Sequence, residues 1–125
     1  MQRILIVDDN DAIRESLTDA LTDEGYAVQG ACDGTEALEM ARRDPPAVIL
    51  LDLMMPGLDG GTVAERLIQI GCRSPVIVVS ADRRVAQRSR ALGVAGVLLK
   101  PFDLDALVEL IHKVTQPPTG PAGAA

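Results

Sequence analysis

The sequence predicts a doubly wound α/β domain: a five-stranded parallel sheet in the order 2-1-3-4-5, covered by helices on both faces. Three observations predict it. Five short, mostly apolar runs recur along the 125 residues, and none is long enough for a core helix. Segments with apolar residues at helical spacing alternate with those runs, the pattern of βα units with right-handed crossovers. Finally, Val48, Ile49, Leu50 and Leu51 are apolar without alternation, as expected of a strand buried on both faces of a parallel sheet.

The elements follow in order. Residues 3–7 form the first strand, closed by Asp8, Asp9, Asn10 and Asp11. Ile13, Leu17, Ala20 and Leu21 recur at helical spacing, which predicts a first helix over 11–24 with Gly25 at its C-terminal cap. Residues 26–31 make the second strand. Residues 34–43 make the second helix, with Ala37, Leu38 and Ala41 inward, and Asp44-Pro45-Pro46 ends it. The third strand, 47–51, ends at Asp52, and Pro56-Gly57 breaks any regular element beyond it.

A third helix over 60–70 turns Val63, Leu67 and Ile70 inward. The fourth strand, 75–79, ends at Ser80. The fourth helix, 82–92, is the most polar, and Gly93 stops it. The fifth strand, 94–99, ends at Lys100, followed by Pro101 and Phe102. The last helix starts near 103 and carries Leu104, Leu107, Val108, Ile111 and Val114 inward, with His112 at an outward phase. Residues 2–115 are thus expected to be one domain, and 116–125, mostly Pro, Gly, Ala and Thr, a flexible tail or linker stub.

Composition narrows the function. Apolar residues make up 47% of the chain, which excludes a disordered polypeptide. The formal net charge of −6 disfavours nucleic acid or an anionic membrane as direct partners. No apolar run has the length of a membrane span, and Asp8 and Asp9 cut the N-terminal one too short for a signal peptide, so the expected location is cytoplasmic. Cys32 and Cys72 are then expected to be free thiols.

Parallel strands place all their carboxyl ends on one edge, where open α/β sheets bind ligands. That edge should gather Asp8 and Asp9, Asp52, Ser80 and Lys100. Taken singly, each has a plain reading: the acids cap helices or sit in solvated loops, Ser80 is a strand-end hydroxyl and Lys100 a surface lysine. Their coincidence at one edge favours a site. Ionised carboxylates in one crevice repel and need a cation, and oxygen-only ligands suit Mg²⁺. With a hydroxyl donor, a lysine and a carboxylate nucleophile at Asp52, the set is equipment for phosphoryl transfer.

At these residues the chain resembles a response-regulator receiver domain of two-component signalling, with a flavodoxin-like fold. The motifs are Val7-Asp8-Asp9, the run from Leu51-Asp52-Leu53-Met54-Met55-Pro56-Gly57 to Leu58-Asp59-Gly60, Val79-Ser80-Ala81 and Lys100-Pro101-Phe102. The resemblance implies a signalling switch whose phosphoacceptor is Asp52, charged by a sensor histidine kinase or a phosphotransfer protein. Mg²⁺, or Mn²⁺ in its place, would be held by Asp8, Asp9, Asp52 and the backbone carbonyl of Met54. Ser80 and Lys100 would contact the phosphoryl group, and the Lys100–Pro101 bond would be cis. No enzymatic activity is implied beyond self-phosphorylation and autodephosphorylation. The signal would pass to a target protein or to an output domain outside these residues.

The chain also departs from that pattern. Val97 stands where most such domains carry Tyr or Phe, so the usual inward turn of a ring has no counterpart, and the signal is expected to leave through the loop after Ser80, the fourth helix or onward phosphotransfer. Met54 and Asp82 occupy positions that tune phosphate lifetime, and they point in opposite directions. The residues after Gly93 lack the acidic pair used for one common dimer, which favours a monomer or weak dimer. Arg83, Arg84, Arg88 and Arg90 make the fourth helix basic, either a solvated face or a docking surface for an acidic partner. Competing readings fit less well. A haloacid-dehalogenase-type phosphatase needs a second Asp at Met54, and an FMN module needs a glycine- and hydroxyl-rich loop where Asp8 to Asp11 stand. A degenerate receiver that only binds proteins would not need the intact acidic set.

Overall fold

The computed structural model describes residues 2–54 and 60–115. The turn expected at Pro56-Gly57 and the tail 116–125 lie outside the described residues. Five parallel strands, β1 (Arg3–Val7), β2 (Ala27–Ala31), β3 (Val48–Asp52), β4 (Val76–Ser80) and β5 (Gly96–Leu99), form one sheet in the order β2-β1-β3-β4-β5. The helices are α1 (Asp11–Asp23), α2 (Gly34–Arg43), α3 (Gly60–Gln69), α4 (Arg83–Ser89) and α5 (Leu104–Thr115).

Strand periodicity splits the core into two layers. Ile4, Ile6, Val48, Leu50, Ile77 and Val79 face one side, where Leu21 of α1 and Leu107 and Ile111 of α5 close over them. Leu5, Val7, Ile49, Leu51 and Val78 face the other, under Ala37 and Ala41 of α2 and Val63, Ala64 and Leu67 of α3. Register pairs Val7 with Leu51, Asp52 with Val79 and Ser80 with Leu99, so these strand ends come out side by side.

Several expectations shift. Ile70 is not inward: α3 ends at Gln69, Gly71 turns the chain at φ 79°, and Ile70 is 42% exposed. Ile13 is 37% exposed, so it does not join the core either. Tyr26 and Ala47 lie just outside their strands, and Val94 and Ala95 precede β5 as a turn out of Gly93. The fourth helix is not continuous over 82–92. Asp82 is its N-cap, α4 stops at Ser89, and Arg90–Leu92 tightens into a 3-10 turn. Ser89 Oγ donates to the carbonyl of Ala86 at 2.6 Å, a local bond that competes with the helix ladder there. Cys32 is exposed, Cys72 half-buried, and both are free thiols. No described helix is long and apolar enough to cross a membrane.

Candidate functional site

The site lies at the carboxyl ends of β1, β3, β4 and β5. β1 presents Asp8, 4% exposed, and the exposed Asp9; β3 presents Asp52, 6% exposed. Carboxylate oxygens of Asp8, Asp9 and Asp52 lie within 4.8 Å of one another. The backbone fixes this approach. Asp8 N–H donates to Ala31 O at 3.2 Å and Leu53 N–H to Val79 O at 3.0 Å. Asn10 caps α1 by accepting from the Ile13 N–H at 3.0 Å, while its own N–H donates to Asp8 Oδ1 at 2.9 Å. Met54 N–H donates to Asp52 Oδ1 at 3.0 Å, and the Met54 side chain is exposed.

Lys100 enters from β5, its backbone N–H bonded to Ser80 O at 2.9 Å and its Nζ 3.7 Å from Asp52 Oδ2. The Lys100–Pro101 peptide is cis. Burial pushes the Asp52 carboxyl above its ordinary range, and the charges of Asp8 and Asp9 add to that. The Met54 N–H and the Lys100 charge oppose it without cancelling it.

Ser80 is fully buried at the end of β4. Its hydroxyl is turned to the following loop, accepting from Asp82 N–H at 3.0 Å and donating to Asp82 O at 3.3 Å. Asp82 is committed as well: its Oδ1 accepts from the N–H groups of Arg84 at 2.8 Å and Val85 at 3.3 Å, capping α4. Val97 is half-buried, pairs with Val78 and packs on the α2–α3 core layer. Arg83, Arg84, Arg88 and Arg90 are all exposed along α4 and the turn after it.

Two features escape a reading by strand ends. One is an apolar groove of about 650 Å³ between α1 and the start of α5, walled by Ile13, Leu17, Pro101 and Phe102 and opening onto Asp8, Asp52 and Lys100. Ile13 reads as core by periodicity, yet it is left exposed as a groove wall. The other is Arg14, whose Nη1 donates to the backbone carbonyl of Asp8 at 2.8 Å. Gly30 inside a strand was the available signal, since such a glycine often marks a close approach.

Three converging carboxylates are hard oxygen donors whose mutual repulsion a divalent cation relieves, so Asp8, Asp9 and Asp52 fit Mg²⁺ or Mn²⁺. Doubly wound topology and an acidic crevice around a strand-end aspartate and a lysine define the class: an open parallel α/β domain with a charged cluster at the carboxyl edge of its sheet. The chain belongs to the response regulator receiver domain family, whose family model matches residues 4–112.

Response regulator MprA of Mycobacterium leprae is 46% identical over 112 residues, covering 88% of this chain and 49% of that protein. MprA of Mycobacterium sp. (strain KMS) is 40% identical over 128 residues, covering 98% of this chain and 56% of that one. The chain thus spans about half the length of these curated relatives. Among solved structures, the chemotaxis protein CheY4 of Vibrio cholerae matches with TM-score 0.82 at 31% identity, over 91% of this chain and 98% of that one. The receiver domain of NtrX from Brucella abortus matches with TM-score 0.83 at 28% identity, over 90% and 97%.

Proposed function

We propose that this receiver domain is a phosphorylation-activated switch in which Asp52 accepts a phosphoryl group from the phosphohistidine of a sensor histidine kinase or phosphotransfer protein. The observation that carries this is the placement of Asp52. It is a buried carboxylate, 3.7 Å from the Lys100 ammonium and within 4.8 Å of Asp8 and Asp9. An Asp52 oxygen attacks phosphorus, the P–N bond to the imidazole breaks, and an acyl phosphate forms at the end of β3. Asp8, Asp9, Asp52 and the Met54 carbonyl are the residues that would hold Mg²⁺, which when bound supplies charge neutralisation for the acids and the incoming phosphoryl oxygens.

The chain's own groups do the rest. Lys100 offers a point charge to a phosphoryl oxygen. The Ser80 hydroxyl can donate to another only by leaving Asp82 O, which links the phosphoryl group to the loop that caps α4. The apolar groove beside Asp52 supports seating of the donor protein, and exclusion of water there favours phosphoryl transfer over hydrolysis. Met54 and Asp82 flank the site as candidates for setting phosphate lifetime, and Pro101 shapes the approach of Lys100. The output is a change at α4, read by a target protein or an output domain.

Incubation with a small phosphodonor, with Mg²⁺ or with a chelator, followed by intact mass, tests the reading. One phosphoryl adduct that requires Mg²⁺ and disappears in Asp52→Asn is expected. An unmodified chain under every condition overturns it in favour of a protein-binding module that works without phosphorylation.

A further inference from the structure

Arg14 is not a strand-end residue, yet it is tied to one. Its Nη1 donates to the Asp8 carbonyl at 2.8 Å, and its Nη2 pairs with Asp11 Oδ1 at 2.5 Å. The stem reaches there by crossing β2 at Gly30. A Cβ placed on Gly30 would meet Arg14 Cδ at 2.9 Å and Cγ at 3.2 Å. Gly30 pairs with Ile6 and precedes Ala31, whose carbonyl accepts the Asp8 N–H. Asp8 is therefore held on three sides: its N–H by Ala31, its carbonyl by Arg14 and its Oδ1 by the Asn10 N–H.

Because Arg14 bonds the carbonyl, it orients the residue while its fixed charge eases the repulsion among nearby acids. An ion pair with the exposed Asp11 alone would contribute little and would not bear on the acids. We propose that Arg14 is a positioning residue for divalent-cation binding: seated over Gly30 and bonded to the Asp8 carbonyl, it sets the turn between β1 and α1 so that Asp8 and Asp9 converge with Asp52. The inference rests on reading the three acids as the cation site.

Mg²⁺ titration of the full chain, followed by amide NMR shifts, tests it without any phosphoryl transfer. Arg14→Met and Gly30→Ala should each weaken Mg²⁺ binding about tenfold, the size seen for groups that orient metal ligands. The double variant should bind no worse than Arg14→Met, because the alanine acts by displacing the arginine. Asp11→Asn, which loses the ion pair and keeps the carbonyl bond, should stay within twofold. Mg²⁺ affinity within twofold of the parent in folded Arg14→Met overturns the proposal, and so do losses that add in the double variant. If Arg14→Met does not fold, Arg14→Gln decides. Its shorter, uncharged side chain loses both the reach to Asp8 O and the charge, so parental affinity there also overturns it. A parent chain that binds no Mg²⁺ overturns the cation-site reading itself, an outcome distinct from tight binding by every variant.

Discussion

Lys100 Nζ stands 3.7 Å from Asp52 Oδ2, close enough to attract and too far for a hydrogen bond. Lys100 is the cationic side chain that opposes the burial-driven rise of the Asp52 carboxyl. Replacing it with Met should push Asp52 further up, seen as a later titration of its carboxyl carbon by NMR in metal-free protein. The same variant should slow phosphoryl acceptance from a small donor on the order of a hundredfold, the cost of losing one preorganised charge-stabilising group. An unchanged titration would show that the ammonium is too well solvated to matter.

Asp52 itself should weigh on stability in a pH-dependent way. Burial raises its carboxyl in the folded state, so the native chain holds that proton more tightly than the unfolded chain does. Stability then falls as pH rises from the ordinary Asp value of about 3.9 through the raised native value, and stays depressed above it. Asn keeps an oxygen to accept the Met54 N–H and carries no charge. Metal-free Asp52→Asn should therefore outlast the parent in urea at pH 7, with the gap closing near pH 4 and below. A gap independent of pH would assign the gain to something other than the buried charge.

The Ser80–Asp82 bonds make a third case. In Ser80→Ala the Asp82 N–H loses its acceptor at the mouth of a buried strand end, which should cost about 1 kcal/mol in denaturant unfolding. The variant should still take a phosphoryl mimic such as beryllofluoride with Mg²⁺. It should then fail to transmit the change: the amides of Arg84 and Val85, which the Asp82 carboxylate caps, should shift less than in the parent. Equal shifts in both proteins would uncouple Ser80 from α4.

What was legible in the sequence follows from what sets each feature. Strands β1, β3 and β4 are apolar runs closed by a charge or hydroxyl, and the common direction of strands in a parallel sheet brings those closing residues to one edge. Asp8, Asp9, Asp52, Ser80 and Lys100 were therefore readable as neighbours before any coordinates. Side-chain direction was not. Nothing local says that the Ser80 hydroxyl turns to Asp82, or that Asp82 is spent on capping. Ile70 has the right phase for the core, yet the helix ends one residue too early to bury it. Arg14 and Gly30 are sixteen positions apart, and the need for each appears only when β2 lies beside β1.

Val97 provides the last test, since it decides by which route a charge at Asp52 is felt. It packs against the core layer shared with Leu51 and Val78, and its β-branched side chain is restricted in χ1. No ring is present to swing between exposed and buried positions, so a phosphoryl group has little to move there. In the proposed switch, its roughly −1.5 to −2 charge should act instead on Lys100 and the Ser80 hydroxyl, and through Ser80 on Asp82 and the first turn of α4. With beryllofluoride and Mg²⁺, the amide shifts should concentrate from Ser80 to Arg88, while the Val97 methyl couplings that report χ1 stay as they were. A rotamer change at Val97 with a quiet Asp82 would place the relay in β5 and remove α4 from the pathway.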